Sequence, residues 1–258
     1  MTARGIRIGV LLFVLALVAL DTWLTRTRVT GWDRTLRASI YPIAADGRPA
    51  TRDYVAALTR EDFAPIEDFL RREAPRYGIA IAEPLRVTLR PVLAQAPPLP
   101  PAERSLLGTV AWSLKLRWFS WRRESAQPEP RSPIRLYVLY YDPQTSPKVA
   151  HSLGLKEGLV GIVHAFAARH MTQTNNFVIA HELLHTLGAT DKYDLATGLP
   201  LFPDGYAEPE RAPRYPQRNA EVMGGRIPQS AGSADIPEGL GVVRVGAATA
   251  REIGWSRP

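Results

Sequence analysis

The segment that most constrains this chain is His181-Glu-Leu-Leu-His185, followed by Gly188 and Asp191. In a helix, a spacing of four residues places His181 and His185 one turn apart on one face, so that both imidazoles can bind one metal ion. Glu182 directly follows the first histidine, which places its carboxylate beside the cation. Gly188 allows the chain to leave the helix in a left-handed conformation. We therefore expect Asp191 to return as a third ligand, which leaves a fourth coordination position open.

The surroundings of this segment favour a metal site over a chance match. Residues 175–180 are apolar enough to predict a buried helix, and residues 172–175 offer candidate N-caps. The chain contains only five histidines, two of them here, and no cysteine, so histidine and carboxylate must bind any metal. On a helix, H-E-x-x-H predicts zinc bound by both histidines, with Glu182 as the general base. In a chance match the two histidines would be ordinary helix residues.

Other carboxylates offer alternatives to this arrangement. The third ligand could come from farther along the chain, from Glu208, Glu210 or Glu221, although Asp191 has the better spacing. Asp194 is either a carboxylate that orients a ligand histidine or a simple turn residue.

The remaining histidines have no predicted role in the metal site. We expect His164 and His170 to be polar residues with local hydrogen-bond partners, and His151 to lie in a loop.

The N-terminus carries an unbroken apolar run over residues 8–20, preceded by Arg4 and Arg7. Such a run is typical of a signal peptide or a short membrane anchor, and less so of a core helix. Because no good cleavage site follows it, we expect residues 1–28 to be an uncleaved transmembrane anchor with the catalytic domain outside the cytoplasm. Secretion after signal cleavage is the alternative.

Composition limits the partners of the chain. The 258 residues are 45% hydrophobic, enough for one core, so residues 29–258 are expected to form one domain. The net charge is +7, but no nucleic-acid-binding motif accompanies it, and we expect no nucleic-acid partner. A basic surface near anionic lipid, or an ordinary solvated face, accounts for the charge. The sequence does not predict an oligomeric state.

Hydrophobic patterns predict the elements around the metal segment. Helices are expected at residues 61–78 and 247–254, and strands are expected at residues 84–91, 134–141 and 160–166. The strand at 160–166 is either a core strand or the sheet edge that would pair with an extended peptide. Residues 107–121 favour a helix whose apolar side packs in the core, although a strand or a membrane-surface face is possible. The residues on that side are Leu107, Val110, Ala111, Leu114, Trp118 and Trp121. Residues 195–218 form a long irregular connection, a candidate wall of a substrate cleft.

The residues of the metal segment resemble a known family. The pattern H-E-x-x-H-x-x-G-x-x-D, with Met223 in a downstream glycine turn, resembles the metzincin metalloproteases. The aspartate at position 191 is similar to that of the snapalysin-like branch, and residues 181–194 are also similar to immune inhibitor A-type peptidases. The likeness covers residues 175–225. Gly225 stands where some metzincins have a tyrosine that assists the oxyanion, so the resemblance does not imply that assistance.

The resemblance implies an α+β fold with a twisted, mixed, mostly parallel sheet, flanking helices and a central metal-binding helix. It implies Zn2+ bound by His181, His185 and Asp191, Glu182 as the base, and a methionine turn beneath the metal, with residues 160–225 as the metal-site core. The expected function is a membrane-tethered zinc endopeptidase acting on protein or peptide substrates. The alternatives are a non-catalytic, membrane-anchored scaffold or binding protein stabilised by zinc, and a peptidase acting on cell-wall peptides.

Overall fold

The structure, a computed structural model, describes residues 30–101, 105–125, 132–149, 152–155 and 159–256. The expected anchor, residues 1–28, and His151 lie outside the described residues. None of the helices within these ranges combines the length and the hydropathy that crossing a bilayer requires.

A five-stranded sheet forms the centre of the fold, in the order β2-β1-β3-β5-β4. All neighbouring strands are parallel except β4, which pairs antiparallel with β5 at one edge of the sheet. The strands are β1 (Leu36–Ala44), β2 (Leu85–Leu89), β3 (Ile134–Tyr141), β4 (Leu153–Leu155) and β5 (Val160–Phe166). The expectation of a mostly parallel, mixed sheet with flanking helices is confirmed.

The described part of the chain contains five α-helices and several short elements. The helices are α1 (Pro49–Ala56), α2 (Ala64–Glu73), α3 (Leu106–Ser125), α4 (Thr172–Leu187) and α5 (Ala247–Glu252). Two-residue strands follow α4, namely β6 (Ala220–Glu221), β7 (Ile227–Pro228), β8 (Ala234–Asp235) and β9 (Val243–Arg244). The helix expected at 61–78 is α2 with a 3-10 turn on each side, and it ends at Gly78, whose φ is +76°.

The sheet is covered on both faces, which explains why its strands are nearly continuous apolar runs. Successive side chains of a strand point to opposite faces. In β3, Ile134, Leu136 and Val138 pack into a core that also contains residues of α1, α2, α4 and α5. Tyr137 and Leu139 point to the other face, where a smaller core includes residues of α3. Helix α4, which carries His181 and His185, and helix α3 therefore lie on opposite faces of the sheet.

Helix α3 confirms a helix over residues 107–121, but the expected core-facing side of this helix is wrong. Among the side chains that the structure describes in α3, Trp112, Leu116 and Ser120 are buried, whereas the expected core residues Leu114 and Trp118 are exposed. Two hydrogen bonds explain the orientation. The indole of Trp112 donates to the carbonyl of Pro98 at 2.7 Å, and the Tyr137 hydroxyl donates to Ser120 Oγ at 3.1 Å.

Strand β5 is an interior strand, with β3 on one side and β4 on the other. β4 pairs with residues 160–162 of β5, so the hypothesis that the whole of residues 160–166 forms the sheet edge is wrong. The strand at this edge of the sheet is β4, which has three residues and was not predicted because its hydrophobic pattern is weak.

The two ends of the described chain meet next to α5. Trp32 packs edge-to-face against Trp255, with ring centroids 5.4 Å apart. The Trp32 indole also donates a hydrogen bond to the carbonyl of Ile253 at 2.7 Å. A residue early in the chain thus holds the segment that follows α5 in place.

Candidate metal centre

Helix α4 is fixed at both ends. Near its start, the Asn175 amide accepts a hydrogen bond from the backbone N–H of Phe166 at 3.0 Å and donates one to its carbonyl at 2.8 Å, which joins α4 to the end of β5. At its C-terminus Gly188 has a φ of +108°, the left-handed conformation expected from the sequence. The chain therefore turns back immediately after the second histidine.

Three nitrogen and oxygen atoms converge at this turn. His181 Nε2 and His185 Nε2 lie 3.0 Å apart, and Asp191 Oδ1 lies 3.2 Å from the first and 3.1 Å from the second. Ligand atoms held 2.0–2.1 Å from a tetrahedral ion are separated by about 3.3 Å. The three atoms therefore form a nearly equilateral triangle of the size that one small metal ion requires.

The other ring nitrogens fix the tautomers of both histidines. His181 Nδ1 lies 2.9 Å from the carbonyl oxygen of Val222, and His185 Nδ1 lies 2.8 Å from that of Ala189. Because a carbonyl oxygen only accepts, each Nδ1 must carry the proton. In the neutral rings, each Nε2 then presents its lone pair to the centre of the triangle, as a metal ligand must.

Glu182 lies beside this triangle with an unsatisfied oxygen. Its side chain is buried, and among the described residues its Oε2 has no hydrogen-bond partner. Ligand atoms of His181, Glu182 and His185 lie within 4.8 Å of one another, so these three residues form a cluster that could hold a metal ion. The distances from the two histidines to Asp191 are much shorter, so Asp191 is the better candidate for the third ligand.

The pKa values reflect the close approach of these groups. Burial alone would lower the pKa of His181, but the hydrogen bond to Asp191 and the charge of Glu182 together raise it. Burial raises the pKa of Glu182 and outweighs the opposing charges of the two histidines. Burial also acts to raise the pKa of Asp191, but its hydrogen bonds to both histidines bring that pKa far below its usual value. A dense set of charges in a buried place is typical of metal and catalytic sites.

A network on α5 holds the Asp191 loop. The Glu252 carboxylate accepts hydrogen bonds from Thr190 N at 3.0 Å, Thr190 Oγ1 at 2.7 Å and the buried Lys192 ammonium at 2.7 Å. Asp191 therefore lies between two residues that are bound to the same carboxylate. The backbone N–H of Lys192 donates to the carbonyl of Met223 at 2.9 Å, which ties this loop to the next segment.

Met223 is fully buried in a turn that Glu221 stabilises. Glu221 Oε2 accepts from the backbone N–H groups of Met223 and Gly224 at 2.6 and 2.8 Å. Its Oε1 accepts from Gly246 N at 3.0 Å and Thr249 Oγ1 at 2.7 Å. Glu221 therefore supports the turn whose Val222 carbonyl orients His181.

The other alternative carboxylates also lie away from the triangle. Glu208 accepts a hydrogen bond from the Arg218 backbone at 3.0 Å, and Glu210 is exposed. Asp194 caps a turn, because its Oδ1 accepts from the backbone N–H groups of Ala196 and Thr197 at 3.1 and 2.8 Å.

His164 and His170 have no part in the cluster. His164 Nδ1 lies 3.1 Å from the Tyr141 hydroxyl, and its ring stacks on that tyrosine. Burial lowers its pKa. His170 lies exposed in the 3-10 turn before α4.

Tyr193 is a site residue that the sequence analysis missed. Burial, the charges of Asp191 and Glu182, and a hydrogen bond to Asp191 raise its pKa to about 12. A Cβ built on Gly225 would lie 3.8 Å from Tyr193 Cδ1, so the tyrosine ring lies against the glycine of the methionine turn. A tyrosine two residues after a ligand was the available signal. The family pattern places its tyrosine after the methionine instead, where this chain has Gly225.

The edge strand β4 crosses α4 at the metal segment. A Cβ built on Gly154 would lie 2.4 Å from His185 Cβ, 2.5 Å from the Glu182 carbonyl oxygen and 3.2 Å from Glu182 Oε2. Only glycine fits at this position. Among the described strands, β4 is the last strand on its side of the sheet, and an edge strand presents unpaired backbone groups on its free side.

Comparison of the chain with models of known protein families and with curated proteins found no match.

Proposed function

We propose that the protein is a membrane-tethered, zinc-dependent endopeptidase with its catalytic domain outside the cytoplasm. The observation that carries this proposal is the triangle formed by His181 Nε2, His185 Nε2 and Asp191 Oδ1, with sides of 3.0–3.2 Å. The location rests on the apolar run at residues 8–20 of the sequence. We infer that the domain is metzincin-like, since the segment pattern, the buried methionine turn and the mostly parallel sheet are all features of that family.

Zinc is the metal that this donor set favours. Two imidazoles and one carboxylate, with no thiolate in the chain, resemble the catalytic zinc sites that have three protein ligands and one open position. Calcium and magnesium prefer a shell of oxygen atoms. Zinc bound here would polarise a peptide carbonyl and acidify a water molecule.

Glu182 would serve as the proton carrier of the reaction. Its buried, unpartnered oxygen can accept a proton from the attacking water and pass it to the departing amine nitrogen. Burial raises the pKa of Glu182 above its usual value, which makes the carboxylate a better proton acceptor.

Tyr193 would stabilise the charge that develops on the carbonyl oxygen. With a pKa of about 12, its hydroxyl keeps its proton at neutral pH and remains a hydrogen-bond donor. A donor at such a place acts chiefly in the transition state, when the oxygen becomes negative. Tyr193 would have to release Asp191 to do so.

The strand β4 would bind the substrate backbone. An extended peptide can add to an open sheet edge through main-chain hydrogen bonds, which makes few demands on its sequence. Gly154 brings this edge within van der Waals contact of the segment that contains Glu182 and His185. A peptide paired there would cross the site, as an endopeptidase requires.

The test compares the full-length wild type with Glu182→Gln and Asp191→Ala, measuring bound zinc by elemental analysis and cleavage of an unfolded protein. We expect stoichiometric zinc in wild type and Glu182→Gln, cleavage only in wild type, and loss of zinc in Asp191→Ala. If Glu182→Gln loses zinc while Asp191→Ala retains it, the ligand assignment is wrong.

The same assay separates the alternatives. Zinc in a folded wild type that cleaves neither proteins nor cell-wall peptides would support a zinc-stabilised binding or scaffold protein. Cleavage of cell-wall peptides alone would keep the chemistry and change the substrate. A folded wild type without zinc, even after metal is added, would refute the proposal.

A further inference from the structure

Helix α3 carries an apolar stripe on the side opposite the sheet. Four large side chains on that side are exposed, to 50% for Val110, 61% for Leu114, 58% for Trp118 and 58% for Trp121. Their spacing of four, four and three residues places them on one line along the helix. A soluble helix normally presents polar residues to solvent along such a line. This stripe instead exposes large apolar side chains, which would be more stable in contact with an apolar partner than with water.

Basic side chains border the stripe on both sides. At 100° per residue, Arg117 lies on one flank of the stripe, and Lys115 and Arg122 lie on the other. The sequence of α3 contains one acidic residue, Glu124 in its last turn, against four basic residues, Lys115, Arg117, Arg122 and Arg123. The Arg122 guanidinium lies over the Trp118 ring, 5.4 Å from its centroid, so charge and aromatic surface are in direct contact.

The segment before α3 extends the same kind of surface. Residues 91–101 contain no charged residue, and their exposed side chains include Val92 and Leu99. Hydrogen bonds from Trp112 to the Pro98 carbonyl and from Arg123 to Gln95 Oε1 hold this segment beside the helix.

We propose that α3 is a membrane-surface helix that inserts its apolar stripe among anionic lipids. An interfacial helix has tryptophan and leucine on its buried side and lysine or arginine at its borders. The cations match the negative surface of such a bilayer, and tryptophan favours the interface between headgroups and hydrocarbon.

Charge argues against two other occupants. A second copy of this face, packed symmetrically, would bring the same cations together, which is unfavourable. The apolar run at residues 8–20 is flanked by four arginines and by only one acidic residue, Asp21, so its net charge is positive and does not complement the cations of α3. Anionic lipid is the occupant that matches both the apolar stripe and the charge of its borders.

This inference does not depend on the metal site, which lies on the other face of the sheet. The docked helix would orient the domain, with the metal centre directed away from the lipid. It adds a second membrane contact to the anchor expected at the N-terminus.

The absence of native cysteine allows a site-specific test on the full-length chain. Leu114→Cys carries an environment-sensitive fluorophore, and Leu195→Cys, at a residue 82% exposed in the loop after the metal ligands, is the matched control. Both proteins are placed in phosphatidylcholine vesicles with and without phosphatidylglycerol. We expect the probe at 114 to shift to the blue and to be quenched by nitroxides on the lipid chains only when phosphatidylglycerol is present. The probe at 195 should not respond.

Charge variants sharpen the test. Lys115→Gln and Arg122→Gln should each lower the docking constant of the probe at 114 by roughly fivefold, and added salt should do the same. A probe that stays in water on both kinds of vesicle would overturn the proposal. An equal blue shift of the probe at 114 with and without phosphatidylglycerol would also overturn the proposal, because anionic lipid would then not be what covers the stripe. Efficient disulfide formation between two copies of unlabelled Leu114→Cys would assign the face to self-association.

Discussion

Gly154→Ala should inactivate the site through a single methyl group. The added Cβ would lie 2.4 Å from His185 Cβ and 2.5 Å from the Glu182 carbonyl oxygen. Carbon atoms in contact prefer separations of about 3.5–4.0 Å, so β4 and α4 must move apart by about 1 Å. A misplacement of about 1 Å at a catalytic site can lower the rate by about 100-fold. Overpacking of this kind costs about 1–3 kcal/mol of stability.

The assay measures kcat/KM on an unfolded protein substrate, together with zinc content and the midpoint of thermal unfolding. Gly232→Ala is the matched control, because a Cβ on Gly232 meets no atom within 4 Å and its backbone is not left-handed. We expect the control to behave as wild type. Gly154→Ala should still bind zinc, but its kcat/KM should fall to about 1% of the wild-type value. Wild-type activity and stability in Gly154→Ala would refute the close crossing of β4 over the metal helix.

Glu252→Gln should weaken zinc binding by about 10–100-fold, because the loop bearing Asp191 loses its ionic contact with α5. Competition with a chromogenic chelator measures the zinc affinity, and an affinity equal to that of wild type would contradict this prediction. Tyr193→Phe should lower kcat by about 100-fold while zinc content and KM stay the same, since only a transition-state donor is lost. An equal loss in zinc content would instead make Tyr193 a support for Asp191. Asp46→Asn should lower the thermal midpoint at neutral pH. Burial would raise the pKa of Asp46, but hydrogen bonds from Arg48, Asp142 and Thr51 lower it below 3.8, so the folded state binds this proton less readily than the unfolded state. The stabilisation is therefore present above about pH 4 and disappears as the pH falls, and thermal melts in acid should show wild type and variant converging.

Sequence patterns predicted the elements whose signal is local. Strands β3 and β5 begin and end where the apolar runs predicted, and α4 ends at its glycine, because β-branched and aromatic runs and a left-handed glycine act within a few residues. The two histidines followed from helical spacing, and Asp191 followed from the glycine turn after the helix. His181, His185 and Asp191 come together because one turn of helix and one glycine suffice to join them.

What escaped prediction depends on contacts between distant segments. The orientation of α3 is set by Trp112 and Ser120, whose partners lie in other elements, and its amphipathic pattern was ambiguous because both sides of the helix are apolar. The edge strand β4 has three residues, too few for a period-two pattern. Glu221 and Glu252 act through backbone and loop contacts that no spacing rule contains.

The contacts of α5 impose an order on the assembly of the site. The loop of Asp191 is held by Glu252, the methionine turn is joined to Thr249 through Glu221, and the segment after α5 is held by Trp32. Synthesis proceeds from the N-terminus, so both histidines and Asp191 exist long before the helix that supports their surroundings. In a chain that is still being synthesised, the candidate ligand residues would lack the support of α5, so the site would not yet be active toward neighbouring proteins. For the proposed protease, this delay would protect neighbouring chains during synthesis, because it is set by the order of the residues.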